Sequence, residues 1–309
     1  MPDAVTSQRV DFPAEVDRVT SAQVDNVADR VTPAQVDTVA GAEKVEDITG
    51  VAIVTGAARG IGAATVRRLS SEGWAIVALD RCADDPALGY ELATQQDLQE
   101  LVDWCANADL IFPVVADVRD QEALDRAVAI AVQKYGRLDA AVAVAGLMVG
   151  GPPLWDMSDS AYQLTIDVNL TGVWRLARAA IPALLALPEP RHGRFVAVAS
   201  AAAVHGMPRL ALYGAAKAGV AGLVRGLAAD LAGSGITANA VAPGPTSTTM
   251  LDVTAEIYDF TNVDDFAHNP LHGRLLQPDE IAAPIVWLCS PDSSSLTGHV
   301  LPTDAGLTT

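Results

Sequence analysis

The chain contains little that would cross-link it or bind a metal. Its 309 residues include three cysteines, which are scattered and form no Cys-x-x-Cys pair. A sparse, odd cysteine count argues against a disulfide framework and favours a reducing compartment, so a cytoplasmic location is expected. The five histidines lack the spacing of a metal site, and the sequence therefore predicts no metal.

Long apolar runs and an excess of basic residues are also absent. No stretch of about 18 apolar residues is free of charge and proline, so no membrane span is expected. The N-terminus has no basic start followed by an apolar block, so no secretory signal is predicted. Lys and Arg number 20 against 38 Asp and Glu, a net charge of −18. Such a chain is repelled by phosphate backbones and anionic lipids, so we expect neither nucleic acid nor membrane among its partners.

The first 48 residues differ from the rest of the chain. They hold 10 acidic and 4 basic residues, and the segment 17–25 recurs almost unchanged at 29–37. Because this segment cannot bury much apolar surface, residues 1–48 are predicted to form a flexible acidic tail. A short partner-binding helix and a stretch upstream of the native translation start are the alternatives.

From residue 50 onward, short apolar runs alternate with helical stretches. The runs are rich in Val, Ala and Ile and apolar throughout, which is typical of strands covered on both faces. We therefore predict an α/β fold over residues 49–309, with one Rossmann-type doubly wound parallel sheet of about seven strands flanked by helices. The predicted strands are 51–55, 74–80, 111–118, 138–145, 194–200, 236–242 and 299–303, and the predicted helices are 60–72, 92–106, 120–135, 160–187, 211–232 and 278–289.

A glycine-rich turn follows the first predicted strand and opens the first helix. Glycines at this place let the backbone approach a pyrophosphate, and the helix N-terminus supplies N–H donors. The pattern therefore predicts a dinucleotide site, and a purely structural turn is the alternative. The predicted contacts from this turn are Gly56, Arg59, Gly60, Ile61 and Gly62.

Asp80 ends the second predicted strand. A carboxylate there accepts hydrogen bonds from ribose hydroxyls and repels a 2′-phosphate, which favours NAD over NADP, although a strand-end cap is the alternative role. Arg59 and Arg81 point the other way, because either could pair with a phosphate. At the end of the third predicted strand, Asp117 and Val118 could hold the adenine. The balance of these features predicts NAD.

Tyr213 and Lys217 lie four residues apart in a predicted helix, so they share one helix face. A nearby ammonium favours the phenolate and is expected to lower the Tyr213 pKa towards neutral, which suits a general acid or base on an alcohol or ketone. Ser200 ends the strand before this helix, and its hydroxyl could hold the substrate oxygen. A Tyr–Lys pair alone is usually a surface pair, but Ser200 and the glycine turn argue for catalysis.

These motifs, in this order, resemble those of the short-chain dehydrogenase/reductases. The resemblance spans residues 51–306 and includes TGxxxGxG, the Asp-Val pair, Asn169 in Val-Asn-Leu, the strand-end serine, YxxxK and a later Pro-Gly. It implies a catalytic tetrad of Asn169, Ser200, Tyr213 and Lys217. Within it, Asn169 would hold a water that relays protons to Lys217, and Lys217 would also bind the nicotinamide ribose.

The same resemblance extends the cofactor site and implies a homotetramer, with interfaces on the helices at 160–187 and 211–232. The chain departs from the family where Asn-Asn-Ala-Gly reads Ala-Val-Ala-Gly at 143–146 and Asp-Gly-Gly reads Asp-Ala-Gly at 304–306. The additional cofactor contacts that it implies are Ala145, Gly146, Tyr213, Lys217, Pro243, Gly244, Thr246 and Thr248.

The segment between Asp80 and Asp117 is about a dozen residues longer than the family's usual spacing. This insert, residues 81–108, and the Gly-Gly-Pro-Pro-Leu-Trp stretch at 150–155 resemble the mycofactocin-coupled, carveol dehydrogenase-like subgroup. In that subgroup the insert is thought to cover NAD and prevent its exchange, and electrons leave through mycofactocin. An ordinary surface insertion is the alternative.

Apolar side chains in the loops after the strands predict an apolar substrate pocket, because ligands of open α/β sheets bind there. The long segment 249–272 is predicted to be an irregular substrate lid. The apolar side chains predicted to form the pocket are Trp155, Met157, Met207, Leu210, Met250, Tyr258 and Phe260.

The predicted function is NAD-dependent interconversion of a secondary alcohol and a ketone, with tightly held NAD and mycofactocin as electron acceptor. One alternative is an ordinary reductase with exchangeable cofactor, such as a 3-oxoacyl-thioester reductase. The others are a catalytically silent NAD-binding regulator and an interaction module carried by the tail.

Overall fold

The computed structural model describes residues 48–268 and 270–309, so the predicted tail, apart from Ile48, lies outside the described residues. Within those ranges one parallel sheet of seven strands has the order β3-β2-β1-β4-β5-β6-β7. This order confirms the predicted doubly wound α/β fold. The strands are β1 Val51–Thr55, β2 Ala75–Asp80, β3 Ile111–Val115, β4 Ala140–Ala143, β5 Arg194–Val198, β6 Thr237–Pro243 and β7 Val300–Thr303.

Helices cover both faces of the sheet, because successive strand residues point to opposite sides and both sides are apolar. The eight α-helices of the described residues are α1 Gly60–Ser71, α2 Gln95–Trp104, α3 Gln121–Tyr135, α4 Asp159–Ile166, α5 Gly172–Leu185, α6 Ala211–Asp230, α7 Thr249–Ile257 and α8 Pro278–Cys289. In β1, Val51 and Ile53 pack into one core with helices α3, α5 and α6, whereas Ala52 and Val54 pack into the other with α1, α2 and α8.

The order in which the chain adds strands to the sheet changes direction at β1. Strand β2 pairs with one side of β1, and β4 pairs with its other side. At such a switch point the loops after the two neighbouring strands separate and leave a crevice at the carboxyl ends of the strands. The sheet order therefore positions a ligand site above β1 and β4.

Three predicted element boundaries were wrong. The helix predicted at 160–187 is two helices, α4 and α5, joined by a π-helical turn at Asp167–Thr171 that the apolar pattern does not reveal. The third strand ends at Val115, so Asp117 and Val118 follow it. The segment 249–272 is not irregular throughout, since it contains α7 and a 3-10 helix at Val263–His268. In the described ranges, no helix has the length and apolar character needed to cross a membrane.

Candidate active site

A cleft of about 840 Å³ opens at the carboxyl ends of the strands. Elements far apart in the chain meet there, including the turn after β1, the end of β2 and the loops after β4, β5 and β6. Every residue predicted to bind the cofactor lines this cleft, as do three of the four predicted catalytic residues. The predicted cofactor-binding and catalytic residues that line the cleft are Gly56, Arg59, Gly60, Ile61, Gly62, Asp80, Arg81, Asp117, Val118, Ala145, Gly146, Ser200, Tyr213, Lys217, Pro243, Gly244, Thr246 and Thr248.

The turn between β1 and α1 requires glycine for two physical reasons. Gly56 and Gly60 have φ angles of +67° and +57°, a region that L side chains rarely adopt. A Cβ at Gly62 would lie 1.9 Å from the Gly56 carbonyl oxygen, so no side chain fits there. Helix α1 then begins after Arg59 with no side-chain cap and no acid in its first turn, which leaves its N-terminal N–H groups for a ligand.

Asp80 organises the cleft next to this turn. Its Oδ2 accepts a hydrogen bond from the Ala58 N–H at 3.0 Å, and its Oδ1 accepts one from the Cys82 N–H at 3.3 Å. The carboxylate thus ties the glycine turn to the start of the insert while it faces the cleft. A strand-end cap and a ligand-facing carboxylate are therefore compatible roles, because each oxygen has a second lone pair.

Beside Asp80, two arginines and two carboxylates form a closed group that we call the arginine–carboxylate cluster: Arg81, Asp85, Asp117 and Arg119. A guanidinium nitrogen of Arg81 lies 2.8 Å from a carboxylate oxygen of Asp85, and another lies 3.2 Å from one of Asp117. A guanidinium nitrogen of Arg119 lies 3.1 Å from the Asp85 carboxylate and 2.7 Å from the Asp117 carboxylate. Burial opposes ionisation of both carboxyls, but hydrogen bonds from backbone N–H groups and the arginines hold their pKa values below the usual range.

Ser200, Tyr213 and Lys217 meet at the other end of the cleft. Tyr213 and Lys217 lie on one face of α6, and the Lys217 Nζ is 5.8 Å from the centre of the Tyr213 ring. This Nζ donates a hydrogen bond to the Val198 carbonyl at the end of β5, at 2.8 Å. Ser200 follows β5 and caps a short 3-10 turn, where its Oγ accepts from the Ala202 N–H at 3.1 Å.

The expected lowering of the Tyr213 pKa is not found in this structure. Burial raises the pKa of Tyr213 to about 12, and the Ser200 hydroxyl acts against this rise. Burial also lowers the pKa of Lys217 to about 8. The Lys217 ammonium favours the phenolate of Tyr213, but its effect on the Tyr213 pKa is outweighed by burial. Both groups lie deep in the protein, where loss of solvent disfavours the charged form of each.

Asn169, the fourth predicted catalytic residue, does not line the cleft. It is fully buried in the π-helical turn, where its Oδ1 accepts from the Leu147 N–H and its Nδ2 donates to the Leu147 carbonyl, both at 3.0 Å. A Cβ on Gly146 would lie 2.9 Å from this Oδ1 and 3.5 Å from the Lys217 Nζ. Asn169 therefore braces the loop after β4 directly behind the cleft.

The insert enters the cleft through Tyr90, which the sequence analysis did not identify as a site residue. The Tyr90 hydroxyl accepts a hydrogen bond from the Met148 N–H at 2.9 Å, on the far side of the cleft. Arg59 donates to the Glu91 carbonyl at 3.0 Å. Tyr90 and Leu92 of the insert both line the cleft. Asp85 and Arg119 were also missed, although their partners Arg81 and Asp117 were predicted to lie in the cofactor site.

The apolar side of the cleft agrees with the prediction for five of seven residues. Met207, Leu210, Met250, Tyr258 and Phe260 line it. The prediction was wrong for the other two, since Trp155 and Met157 lie outside the cleft and Trp155 is 83% exposed.

Two further observations concern the cysteine of the insert and the groups that could bind a metal. Burial and the neighbouring Asp80 raise the pKa of the Cys82 thiol to about 11, so this cysteine is not an activated thiol. His205 is exposed and lines the cleft. Over residues 48–268 and 270–309, no three His, Cys, Asp or Glu side chains form a group that could hold a metal.

Comparison with known proteins agrees with this geometry. A family model described as Enoyl-(Acyl carrier protein) reductase matches residues 56–308. A Mycobacterium tuberculosis protein called an uncharacterized NAD-dependent oxidoreductase is 37% identical over 263 residues, which cover 83% of this chain and 94% of that protein. The 3-oxoacyl-[acyl-carrier-protein] reductase of Thermotoga maritima is 34% identical over 257 residues, which cover 83% of this chain and 97% of that protein.

Among solved structures, carveol dehydrogenase from Mycobacterium avium in complex with NAD superimposes with a TM-score of 0.78 at 36% identity, over 84% of this chain and 98% of that one. The relatives are matched over nearly their whole length, and the stretch matched by the family model includes the glycine turn and the Tyr–Lys helix. The chain belongs to the short-chain dehydrogenase/reductase family.

Proposed function

We propose that this protein is an NAD-dependent oxidoreductase that interconverts a secondary alcohol and a ketone by hydride transfer. One observation carries the proposal: Ser200, Tyr213 and Lys217 line the same cleft as the glycine turn. A proton-transferring group and a dinucleotide cradle in one cleft are the two parts that this reaction requires. The NAD-dependent relatives support the same assignment.

The residues of the cleft fit a dinucleotide. At Gly56 and Gly62 a Cβ would approach backbone atoms of Ala145 and Gly56 to 2.7 and 1.9 Å, so the tight turn that brings the backbone towards a pyrophosphate can form only with glycine at both positions. The first turn of α1 offers N–H groups and the positive end of its dipole to that group. Asp80 is suited to accept from the ribose hydroxyls, which favours NAD. When bound, NAD supplies the position that accepts or donates the hydride.

The three catalytic side chains have distinct roles in this proposal. In its phenolate form Tyr213 takes the proton from the alcohol in one direction, and in its hydroxyl form it gives that proton to the ketone oxygen in the other. Ser200 holds the substrate oxygen beside it. Lys217, below its pKa of about 8, carries a positive charge that favours the phenolate form of Tyr213. Asn169 holds the Leu147 backbone in place behind Lys217, which keeps the loop after β4 in its position.

Two contacts support the proposal that NAD is held tightly. The insert starts beside Asp80, where the adenosine half of NAD would lie. It reaches across the cleft as far as Tyr90, whose hydroxyl accepts a hydrogen bond from the Met148 N–H near Tyr213. Arg59 anchors the middle of the insert through the Glu91 carbonyl. A strap fixed at both ends of a cleft slows the exchange of whatever lies beneath it. A retained cofactor needs an external electron acceptor, and we propose mycofactocin for that role.

The substrate side of the cleft favours a small apolar alcohol. Met207, Leu210, Met250 and Tyr258 pack in one apolar cluster with Tyr213, whose hydroxyl lies 4.0 Å from the Met250 Sδ. Such a surface binds hydrocarbon and offers few hydrogen bonds. We propose a cyclic secondary alcohol of the carveol type, with α7 and the following 3-10 helix as the lid, in line with the Mycobacterium avium relative.

The test begins with the nucleotide that the purified protein contains. Acid denaturation followed by mass spectrometry is expected to release about one NAD(H) per chain. The untreated protein should then reduce a redox dye with a cyclic secondary alcohol in the absence of added NAD. The Tyr213→Phe variant, which should retain the nucleotide, is the control for turnover at this site.

A second candidate, a 3-oxoacyl-thioester reductase with exchangeable cofactor, is favoured by the Thermotoga maritima relative. Protein that contains no nucleotide and reduces a 3-oxoacyl thioester only with added NAD(P)H would establish that candidate instead. A silent regulator would bind NAD but turn over neither substrate, and Tyr213→Phe would then change nothing.

We also propose a homotetramer assembled through α4, α5 and α6. Tyr162 on α4 and Trp174 on α5 are 51% and 47% exposed, which is unusual for large apolar side chains outside an interface. Sedimentation velocity should give a species of four chains. The substitution Trp174→Glu should reduce its size, because it places a charge in a closely packed contact.

A further inference from the structure

Two arginines occupy the cleft where an NADP-specific site would need them. Arg81 directly follows Asp80, and both Arg81 and Arg119 line the cleft. A guanidinium at this position of a dinucleotide fold pairs with the 2′-phosphate of NADP, and arginine suits that phosphate because it can form two parallel hydrogen bonds. Without Asp80, these two arginines would favour NADP at this end of the cleft.

The insert supplies the group that counteracts these arginines. Asp85 is 8% exposed, and its Oδ2 accepts from Arg81 at 2.8 Å and lies 3.1 Å from an Arg119 nitrogen. Its Oδ1 accepts from the Ala87 N–H at 3.1 Å, which fixes the carboxylate in place. Asp117 contacts both guanidinium groups from the other side.

The consequence for a ligand follows from charge and geometry. The arginine–carboxylate cluster has two positive and two negative charges, and Asp80 beside it adds a third negative charge. A 2′-phosphate would have to displace a buried carboxylate from both guanidinium groups and would face the other two carboxylates. Separating a buried ion pair in this way is unfavourable, because it leaves a charge without its partner.

We infer that Asp85 is a positioning residue for nucleotide choice: by holding Arg81 and Arg119, it prevents them from binding a 2′-phosphate, so the cleft selects NAD. This inference rests on the proposed NAD-dependent function and extends it to a residue that itself lies outside the cleft lining. The insert therefore contributes to the choice between NAD and NADP as well as covering the cleft.

The test removes the charge of Asp85 and keeps its shape. In Asp85→Asn, the ratio of NADP(H) to NAD(H) extracted from the purified protein should rise about tenfold, the equivalent of one charge-assisted hydrogen bond. Where the purified protein contains no nucleotide, calorimetric titration with 2′,5′-ADP and with ADP measures the two affinities, and their ratio should change in the same way. Asp85→Glu should stay close to the wild-type ratio. Arg81→Gln added to Asp85→Asn should abolish the gain.

Two controls separate this role from general effects. Asp109→Asn removes one negative charge from an exposed residue and should leave the ratio unchanged. Asp85→Ser keeps an acceptor for the Ala87 N–H and replaces Asp85→Asn if that variant does not fold. A folded Asp85→Asn or Asp85→Ser variant that binds NAD with the wild-type nucleotide ratio would overturn the inference. If neither wild type nor variants bind either nucleotide, the proposed function itself fails.

Discussion

Asn169 and Leu147 form a closed pair of hydrogen bonds, in which the side-chain amide of one both accepts from and donates to the backbone of the other at 3.0 Å. The pair joins the π-helical turn between α4 and α5 to the loop after β4. Because Asn169 is fully buried, water cannot replace either bond. The pair therefore fixes the loop that carries Gly146 next to Lys217.

Replacing Asn169 by Ala should destabilise the protein. The change leaves the Leu147 N–H and carbonyl buried without partners, and each such group costs about 1–3 kcal/mol. We expect the free energy of unfolding, measured with urea, to fall by about 2–4 kcal/mol. Asp167→Asn, in the same turn but only half-buried, should change it by less than about 0.5 kcal/mol. Equal stability of Asn169→Ala and wild type would show that the pair contributes nothing.

Removing the Tyr213 hydroxyl should abolish turnover with little effect on nucleotide binding. General acid–base catalysis contributes about 10²–10⁴-fold, so Tyr213→Phe should lower kcat by that factor. Steady-state kinetics with a cyclic secondary alcohol measures this effect, and the extracted nucleotide shows that the site is intact. Tyr162→Phe loses a hydroxyl from an exposed position and is the matched control. A kcat within twofold of wild type would rule out Tyr213 as the proton-transfer group.

Loss of the Tyr90 hydroxyl should speed the release of NAD. In Tyr90→Phe the Met148 N–H loses its acceptor, so the insert is held at one fewer point. We expect about tenfold faster dissociation, the equivalent of one hydrogen bond of about 1.4 kcal/mol. The measurement is the NAD fraction that remains bound after timed gel filtration, again with Tyr162→Phe as control. Unchanged retention would mean that the insert does not hold the cofactor through this contact.

The arginine–carboxylate cluster should make stability depend on acidic pH. The pKa values of Asp85 and Asp117 in the folded protein lie below the ordinary 3.8, so near that pH the folded state binds fewer protons than the unfolded chain. Their contribution is therefore present above about pH 4 and is lost as the pH falls through the folded-state pKa values.

Asp85→Asn tests this dependence. At pH 7 it should lower the free energy of unfolding by about 1–3 kcal/mol, because two arginines lose a charged partner. The difference from wild type should be steady above about pH 4 and shrink as the pH falls below it, as measured by urea unfolding at each pH, whereas Asp109→Asn should follow wild type throughout. A difference between Asp85→Asn and wild type that is constant with pH would contradict the ion-pair origin.

Much of the fold and part of the site could be predicted from the sequence, because the relevant patterns are local. Continuous apolar runs indicate strands covered on both faces, and their alternation with helices indicates a parallel sheet. The glycine turn and the spacing from Tyr213 to Lys217 are also visible in the sequence, because each lies within a few consecutive residues. The π-helical turn at Asp167–Thr171 was missed, because it leaves no mark in the apolar pattern.

The sequence alone thus determined the fold class, the glycine turn and the placement of Tyr213 and Lys217 on one helix face. Only the tertiary structure decided that Tyr90 reaches Met148 and that Asp85 neutralises Arg119, since these partners come from different loops. It also decided the Tyr213 pKa of about 12. Pairing between distant segments and the loss of solvent around a charge depend on how the elements pack, and no local spacing encodes either.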